Sequence, residues 1–327
     1  MDARADPVAA VPHPHGAAAP AGGPGGVTRR VLTYVARGLF LAAVLAGAWW
    51  SLRDEGDELV DALATATAGG LVLSLALVVG GLVGTGLLWR RIFGLHGARV
   101  PGRAAAAIFF TGQLGKYVPG SVWSIGVQAR LAHAHDVTPR TTVATSLVFL
   151  WVHVATGCLA AGLALPLVPA ADDLPGGRWL SAGACLLVGA LAMVPAIVHR
   201  AARLLAGHDD VVWGLRESGL AAAVMAPVWG AYAAGLWFVL PQGTTPSGAL
   251  YAALVAAFAL GYVAGVAVPV APAGLGAREA VFVLVLAPTL GVVTAAAVAL
   301  LARVVHTVAD FVVAAGALLL DRARHAA

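Results

Sequence analysis

Six long apolar stretches constrain the fold of this chain more than any other feature of its sequence. They lie at 31–50, 68–89, 141–168, 179–198, 218–240 and 292–320. An α-helix needs about 20 mainly apolar residues to cross the hydrocarbon core of a bilayer. The chain is 60% hydrophobic and only 11% charged, whereas about a quarter of a soluble domain is charged. The sequence therefore predicts an integral membrane protein built of helices.

Two further apolar regions, 104–135 and 249–288, are interrupted near their middles by the glycine- and proline-containing sequences GKYVPGS and VPVAPAGLGARE. We expect each region to form a hairpin of two half-helices. Unpaired peptide groups in hydrocarbon cost several kcal/mol each, so both breaks must be buried in protein or line a wet cavity.

Arginines mark alternate ends of the apolar stretches. They stand at the start of the first stretch, follow the second and the fourth, and end the chain: Arg29, Arg30, Arg37, Arg90, Arg91, Arg99, Arg103, Arg200, Arg203, Arg322 and Arg324. The loops at 53–61, 172–178 and 241–248 are acidic or neutral. Because basic loops stay in the cytoplasm, we expect both termini to be cytoplasmic and the hairpins to enter from opposite faces.

Each hairpin is flanked by one full stretch on either side, in opposite senses in the two halves, as in an inverted repeat. We therefore predict an all-α polytopic membrane helix bundle, with about six full spans plus two opposed re-entrant helical hairpins. Residues 1–28 are expected to form a disordered tail. Residues 29–327 are expected to form a single transmembrane domain, with halves at 29–210 and 211–327. The first stretch has no small-residue cleavage site, so we expect it to be retained.

The first break contains Lys116, the only lysine of the chain. Its ammonium either docks an anionic group such as a phosphate, helped by half-helix amide ends, or extends to the cytoplasmic surface or pairs with Glu279. Tyr117 and Trp123 bracket the break at Pro119–Gly120. They either line a lipid-headgroup pocket or brace the hairpin.

The second break carries Arg278 and Glu279 directly after the sequence PAGLG. Two alternatives stay open for this pair. The two charges neutralise each other as part of the fold, or Arg278 reaches a central cavity and clamps a phosphate with two hydrogen bonds, a geometry that suits guanidinium.

The last stretch carries Arg303, His306 and Asp310, at spacings of three and four that place them on one helical face. A polar stripe on an apolar helix is expected to face the interior of the bundle. His306 and Asp310 either relay a proton coupled to transport or form an interhelical hydrogen-bonded contact.

Other positions are expected to serve packing. The sequences GGLVG at 80–84 and GYVAG at 261–265 have the small-residue spacing that permits close approach of helices. His153 is isolated in its apolar stretch. Cys158 and Cys185 lie inside apolar runs, which is typical of neither a disulfide framework nor a metal site.

No pattern in the sequence indicates catalysis. Arg130 and the HAHD sequence at 133–136 lie where the first hairpin returns to the surface, and no further metal ligands stand nearby. The chain has no phosphate-binding lysine loop, no nucleophile elbow and no zinc-protease motif. We therefore expect no enzymatic activity, no cofactor and no metal. The chain also has no basic face interleaved with aromatic residues, so we expect no nucleic-acid partner.

Two segments resemble the signature regions of a known family. They are LGKYVPGSVWS at 114–124, followed by Arg130, and PVAPAGLGAREAVFVLVLAP at 269–288, followed by Arg303. Both are similar to the lysylphosphatidylglycerol synthase transmembrane (flippase-like) family, and the resemblance covers about residues 30–320.

This resemblance implies an inner-membrane protein of a bacterium or archaeon. In bifunctional members the module moves aminoacylated phosphatidylglycerol between leaflets, while a separate cytoplasmic domain makes the lipid. The chain ends seven residues after the last stretch, so we expect a membrane module without synthase activity. The resemblance implies that the headgroup site is built from Lys116, Tyr117, Pro119, Gly120, Trp123, Arg278 and Glu279.

We therefore expect a flippase-like inner-membrane protein that moves an anionic or aminoacylated lipid headgroup between leaflets. The alternative is a non-transporting membrane partner that presents lipid-linked substrates to a separate glycosyltransferase or synthase. The expected partners are membrane lipids, whether phospholipid or polyprenyl-linked. The expected substrate-binding residues are Lys116, Tyr117, Pro119, Gly120, Trp123, Arg130, Arg278, Glu279, Arg303, His306 and Asp310.

Overall fold

The computed structural model describes residues 56–117, 123–173, 176–206, 213–268 and 272–322. Of these residues 86% are helical and none forms a strand. The α-helices are α1 Gly56–Ala64, α2 Ala68–Leu95, α3 Gly102–Gln113, α4 Trp123–His133, α5 Pro139–Ala164, α6 Gly177–Ala192, α7 Pro195–Ala206, α8 Leu215–Trp237, α9 Gly248–Ala267, α10 Ala277–Leu290 and α11 Val292–Arg322. Short 3₁₀ helices lie at Leu114–Tyr117, Leu165–Leu167, Pro169–Asp173 and Pro272–Gly274.

Five of the described helices are long and apolar enough to cross a membrane: α2, α5 with its 3₁₀ extension, α8, α9 and α11. The number rises to six if α6 and α7 count as one bent span. The prediction of an all-α polytopic bundle is therefore confirmed, with α2, α5, α8 and α11 at four of the predicted stretches. The predicted tail at 1–28 and the predicted span at 31–50 lie outside the described residues.

The predicted span at 179–198 is not a single straight helix. Helix α6 ends at Ala192, and α7 begins at Pro195 at an angle of 55° to it. Proline lacks a backbone N–H and disfavours helical geometry at the residue before it, here Val194. Proline at this position therefore accounts for the break.

The two interrupted regions differ in the lengths of their limbs. In the first region α3 and α4 have 12 and 11 residues, which at about 1.5 Å per residue is too short to cross a bilayer. In the second, α10 has 14 residues, but α9 has 20 and is long enough to cross alone. Helix α9 is therefore longer than the half-helix expected before the second break, because no proline interrupts its apolar run.

Helices α2 and α8 pack closely as antiparallel neighbours. Gly81 of α2 faces the Tyr232 ring, Gly84 faces Val228, and Gly70 lies beside the Phe238 backbone at the far end of α8. Glycine has no side chain to separate the two backbones, so this contact uses the small residues of the predicted pattern at 80–84.

The contacts of the first half recur in the second. The 3₁₀ helix Leu114–Tyr117, hereafter the Lys116 turn, joins α3 to the region of α4, and Pro272–Gly274, hereafter the Ala273 turn, lies between α9 and α10. In the first half, α3 packs against α11 and α4 packs against α5. In the second half, the corresponding helices α9 and α10 pack against α5 and α11, respectively. The two turns contact each other, so the interrupted regions meet inside the bundle.

Candidate functional site

A cavity of about 410 Å³ lies where the two halves meet. Residues from α2, α3, α4, α5, α8, α9, α10, α11 and both turns line it. Its volume falls in the range of about 300–1,000 Å³ that is usual for small-ligand sites. The ionisable side chains in its wall include Lys116, His153, Arg278, Arg303, His306 and Asp310. The cavity thus brings together charged residues from both interrupted regions and from α11.

Lys116 and Tyr117 bind the same carboxylate oxygen of α11. Lys116 Nζ lies 2.6 Å from Asp310 Oδ2, and the Tyr117 hydroxyl donates to that oxygen at 2.6 Å. The Asp310 side chain is only 2% exposed, and a buried carboxylate is costly unless it is paired and hydrogen-bonded. These two donors therefore stabilise Asp310, and the suggested pairing of Lys116 with Glu279 is wrong.

Arg303 of α11 binds both the Ala273 turn and the start of α10. Its Nε donates to Glu279 Oε1 at 2.6 Å, and its Nη2 donates to the Ala273 carbonyl at 3.5 Å. Glu279 Oε2 accepts from the Gly276 N–H at 2.7 Å, at the first turn of α10. The partner of Glu279 is thus Arg303, so the suggested neutral pair of Arg278 with Glu279 is not formed.

Arg278 is held by aromatic rings. Its guanidinium carbon lies 4.6 Å from the ring centroid of Phe258 and 5.5 Å from that of Phe282. Nη2 is buried without a hydrogen-bond partner, and no ion pair among the described residues includes Arg278. A guanidinium offers five N–H donors, so this one retains donor capacity at the wall of the cavity.

The two histidines of the cavity wall differ in their contacts. His306 Nδ1 lies 2.9 Å from the Ala302 carbonyl, which can only accept, so Nδ1 carries the hydrogen, while Nε2 has no partner. The His153 ring stacks on Tyr262 with centroids 4.2 Å apart, and neither of its nitrogens has a partner. His153 thus packs against an aromatic ring, as predicted, but it also borders the cavity. The groups that bind Asp310 are Lys116 and Tyr117 rather than His306.

Two predicted site residues do not line the cavity. Trp123 is 53% exposed and Arg130 is exposed, on the face of α4 opposite its buried residues Gln128, Ala129 and Ala132. Arg130 lies seven positions after Trp123, which places both on one side of the helix. The structure therefore does not bring these two residues to the cavity, and Pro119 and Gly120 lie outside the described residues.

A polar chain in the wall of the cavity was not predicted from the sequence. Ser146 Oγ donates to Gln128 Oε1 at 2.5 Å, and Trp89 Nε1 donates to Ser146 Oγ at 3.3 Å. Gln128 and Ser146 both border the cavity. Their polarity within apolar regions was the available signal, because polar groups at membrane depth usually face a cavity or a partner.

Fold and site together define a class of protein: a polytopic all-α membrane protein with a charged internal cavity between two contacting helix breaks. No family model matches the chain, and no curated protein matches its sequence.

Proposed function

We propose that this protein is a flippase-like lipid transporter of a bacterial or archaeal inner membrane, related to the lysylphosphatidylglycerol synthase transmembrane family. The single observation that carries the proposal is the environment of Arg278. Its guanidinium borders an internal cavity, has a buried nitrogen without a partner, and takes part in none of the described ion pairs. An anionic lipid headgroup is the natural occupant of such a cavity.

The charge balance of this region supports an anionic occupant. Lys116 pairs with Asp310 and Arg303 with Glu279, so Arg278 is the cavity cation that has no carboxylate partner among the described residues. An uncompensated charge at membrane depth is expensive. Guanidinium forms paired, charge-assisted hydrogen bonds with phosphate, so a phosphate group supplies the missing negative charge.

The arrangement of the halves supports transport between leaflets. A headgroup does not cross hydrocarbon readily, and a polar cavity at the meeting point of two interrupted regions lowers that barrier while the acyl chains stay in lipid. Under this proposal the hairpin of the Lys116 turn enters from the cytoplasmic face, that of the Ala273 turn enters from the opposite face, and both termini are cytoplasmic.

Reconstitution tests the proposal. Purified protein in vesicles containing fluorescent phosphatidylglycerol is expected to expose inner-leaflet label to an external quencher. The Arg278→Ala variant is expected to lower the exchange rate about tenfold or more, since a hydrogen bond to a charged group is worth about 1.5–3 kcal/mol. Arg99→Ala, which removes an exposed arginine, serves as the control. Equal rates in vesicles with and without protein refute transport.

A second function uses the same cavity without transport. Helix α11 binds the Lys116 turn through the Lys116–Asp310 ion pair, the Ala273 turn through the hydrogen bond from Arg303, and α10 through the Arg303–Glu279 ion pair. Such fixed contacts favour a protein that holds a lipid and presents it to a separate glycosyltransferase or synthase. Absence of exchange, together with Arg278-dependent lipid binding and co-purification of such an enzyme, is the result expected from this alternative.

A further inference from the structure

The cavity is too small for a whole phospholipid. At about 410 Å³ it matches the small-molecule sites of proteins, so it holds a headgroup while two acyl chains remain outside. If the proposed function is correct, one part of the cavity wall must therefore lead directly to lipid. The location of that part follows from side chains that touch both environments.

Tyr117 and Phe311 form a contact of this kind, between the cavity and the outer face of the protein. The Tyr117 hydroxyl binds Asp310 at the cavity, while its ring stacks on Phe311 with centroids 6.0 Å apart and planes at 16°. Phe311 follows Asp310 in the chain but is 54% exposed, because adjacent helical residues point in different directions. Lys116, beside Tyr117, has a side chain that is 34% exposed. Within the described part of the chain, this pair of aromatic rings lies between the cavity and the exposed face of α11.

An apolar stripe leads away from this pair along the outer face of α11. Val304, Val308 and Phe311 are 60%, 44% and 54% exposed, and their spacings of four and three place them on one face of the helix. A flexible hydrocarbon chain that emerges beside Phe311 finds continuous apolar contact along this stripe.

The corresponding part of the second half is more covered within the described residues. There the equivalent of α11 is α5, and α6 packs along α5, with Leu186 against Gly162 and Leu159 against Gly189. The Pro169–Asp173 helix also contacts α10. The Lys116 side of the cavity is therefore the better route to lipid.

We infer that an acyl chain of the lipid whose headgroup occupies the cavity leaves across the Tyr117–Phe311 pair and lies along the stripe of Val304, Val308 and Phe311. This inference rests on the proposed function for the identity of the headgroup ligand. It assigns a new binding surface, for acyl chains, to the outer face of α11.

Photo-crosslinking tests the inference on the full chain in phosphatidylglycerol-containing nanodiscs. The probe is phosphatidylglycerol with a photoreactive diazirine on one acyl chain, and the labelled residues are mapped by mass spectrometry. Bulk lipid labels every lipid-facing surface, so the informative quantity is the labelling that depends on Arg278. Arg278→Gln is expected to lower labelling of the α11 stripe several-fold while labelling around Leu284, 60% exposed on α10, is unchanged.

A competition experiment makes the result independent of how the variant folds. Excess soluble glycerol phosphate, added to the wild-type protein, is expected to lower labelling of the α11 stripe but not of Leu284. Stripe labelling that is unaffected by both Arg278→Gln and glycerol phosphate overturns the inference, as does headgroup-dependent labelling on α5 or α10 instead.

The two proposals fail in different ways. Headgroup-dependent labelling of the stripe without vesicle exchange supports the chain-binding surface and refutes transport. Exchange combined with headgroup-dependent labelling elsewhere supports transport and refutes this surface.

Discussion

At the scale of single residues, the lysine and the two arginines described in the cavity wall differ in their partners. Lys116 and Arg303 each bind a carboxylate, whereas Arg278 rests on two phenylalanine rings. Removing a cation that balances a buried carboxylate leaves that charge uncompensated. The expected effects of substitution therefore separate into loss of stability and loss of ligand binding.

Lys116→Ala is expected to destabilise the protein, because it leaves Asp310 buried with Tyr117 as its remaining donor. Breaking a buried ion pair costs about 3–5 kcal/mol, and the partial exposure of Lys116 places the expected loss at the lower end. Thermal unfolding in detergent is the measurement. Because Asp310→Asn removes the unpaired carboxylate charge, the double variant Lys116→Ala with Asp310→Asn is expected to recover part of the lost stability. A double variant no more stable than Lys116→Ala contradicts this account.

Arg278→Ala and Glu279→Ala are expected to behave differently although the residues are adjacent. Arg278→Ala removes the proposed phosphate donor. Its loss of two ring contacts is offset by removal of an uncompensated charge at membrane depth, so anion binding falls more than stability. Glu279→Ala leaves Arg303 unpaired and removes the acceptor of the Gly276 N–H, so stability falls more. Calorimetric binding of glycerol phosphate and thermal unfolding measure the two effects, and identical behaviour of the variants argues against separate roles.

At the scale of elements, close packing of α2 on α8 depends on the absence of a side chain at Gly81. A methyl group there meets the buried Tyr232 ring, whereas a methyl group at neighbouring Gly80 meets nothing within 4 Å. Gly81→Ala is expected to cost about 1–3 kcal/mol through overpacking, and Gly80→Ala to lie within about 0.5 kcal/mol of the wild type. Unfolding of the two variants in the same detergent gives the comparison; equal stabilities refute the close packing.

The Ala273 turn depends in the same way on Gly274. This residue has φ of +68°, and a Cβ atom there would lie 2.7 Å from Gly265 Cα on α9. Gly274→Ala is therefore strained both in its backbone and in its contacts, and we expect it to displace the turn and lower both stability and anion binding. Gly243→Ala is the matched control, since its φ is +88° but nothing lies within 4 Å. Similar anion affinity in both variants contradicts a role for close approach at the turn.

At the scale of the whole molecule, the proposed topology places the α2–α3 connection and the α8–α9 connection on opposite sides. Arg99→Cys and Thr245→Cys introduce exposed thiols in these connections, in a background where Cys158 and Cys185 are alanine. An impermeant thiol reagent added outside intact cells is expected to label Thr245→Cys and to reach Arg99→Cys only after the membrane is opened. Labelling of both positions from one side is inconsistent with the orientation.

Much of the element structure could be predicted from local sequence. The apolar runs of α2, α5, α8 and α11 indicate helices because length and hydropathy act on each run separately. The 20-residue length of α9 was missed because the region 249–288 was interpreted as one unit around its break. The bend before Pro195 was missed because the apolar run continues through a residue that alters the backbone.

By itself, the sequence determined that this is a helical membrane protein, where glycine and proline interrupt its apolar regions, and that few charges remain at depth. Only the tertiary structure decided that Lys116 pairs with Asp310 and Arg303 with Glu279, that Arg278 pairs with neither carboxylate, and that Trp123 and Arg130 face away from the cavity. The physical reason is that hydropathy acts along a segment of chain, whereas ion pairing requires atoms within about 4 Å, which the packing of distant helices alone can arrange.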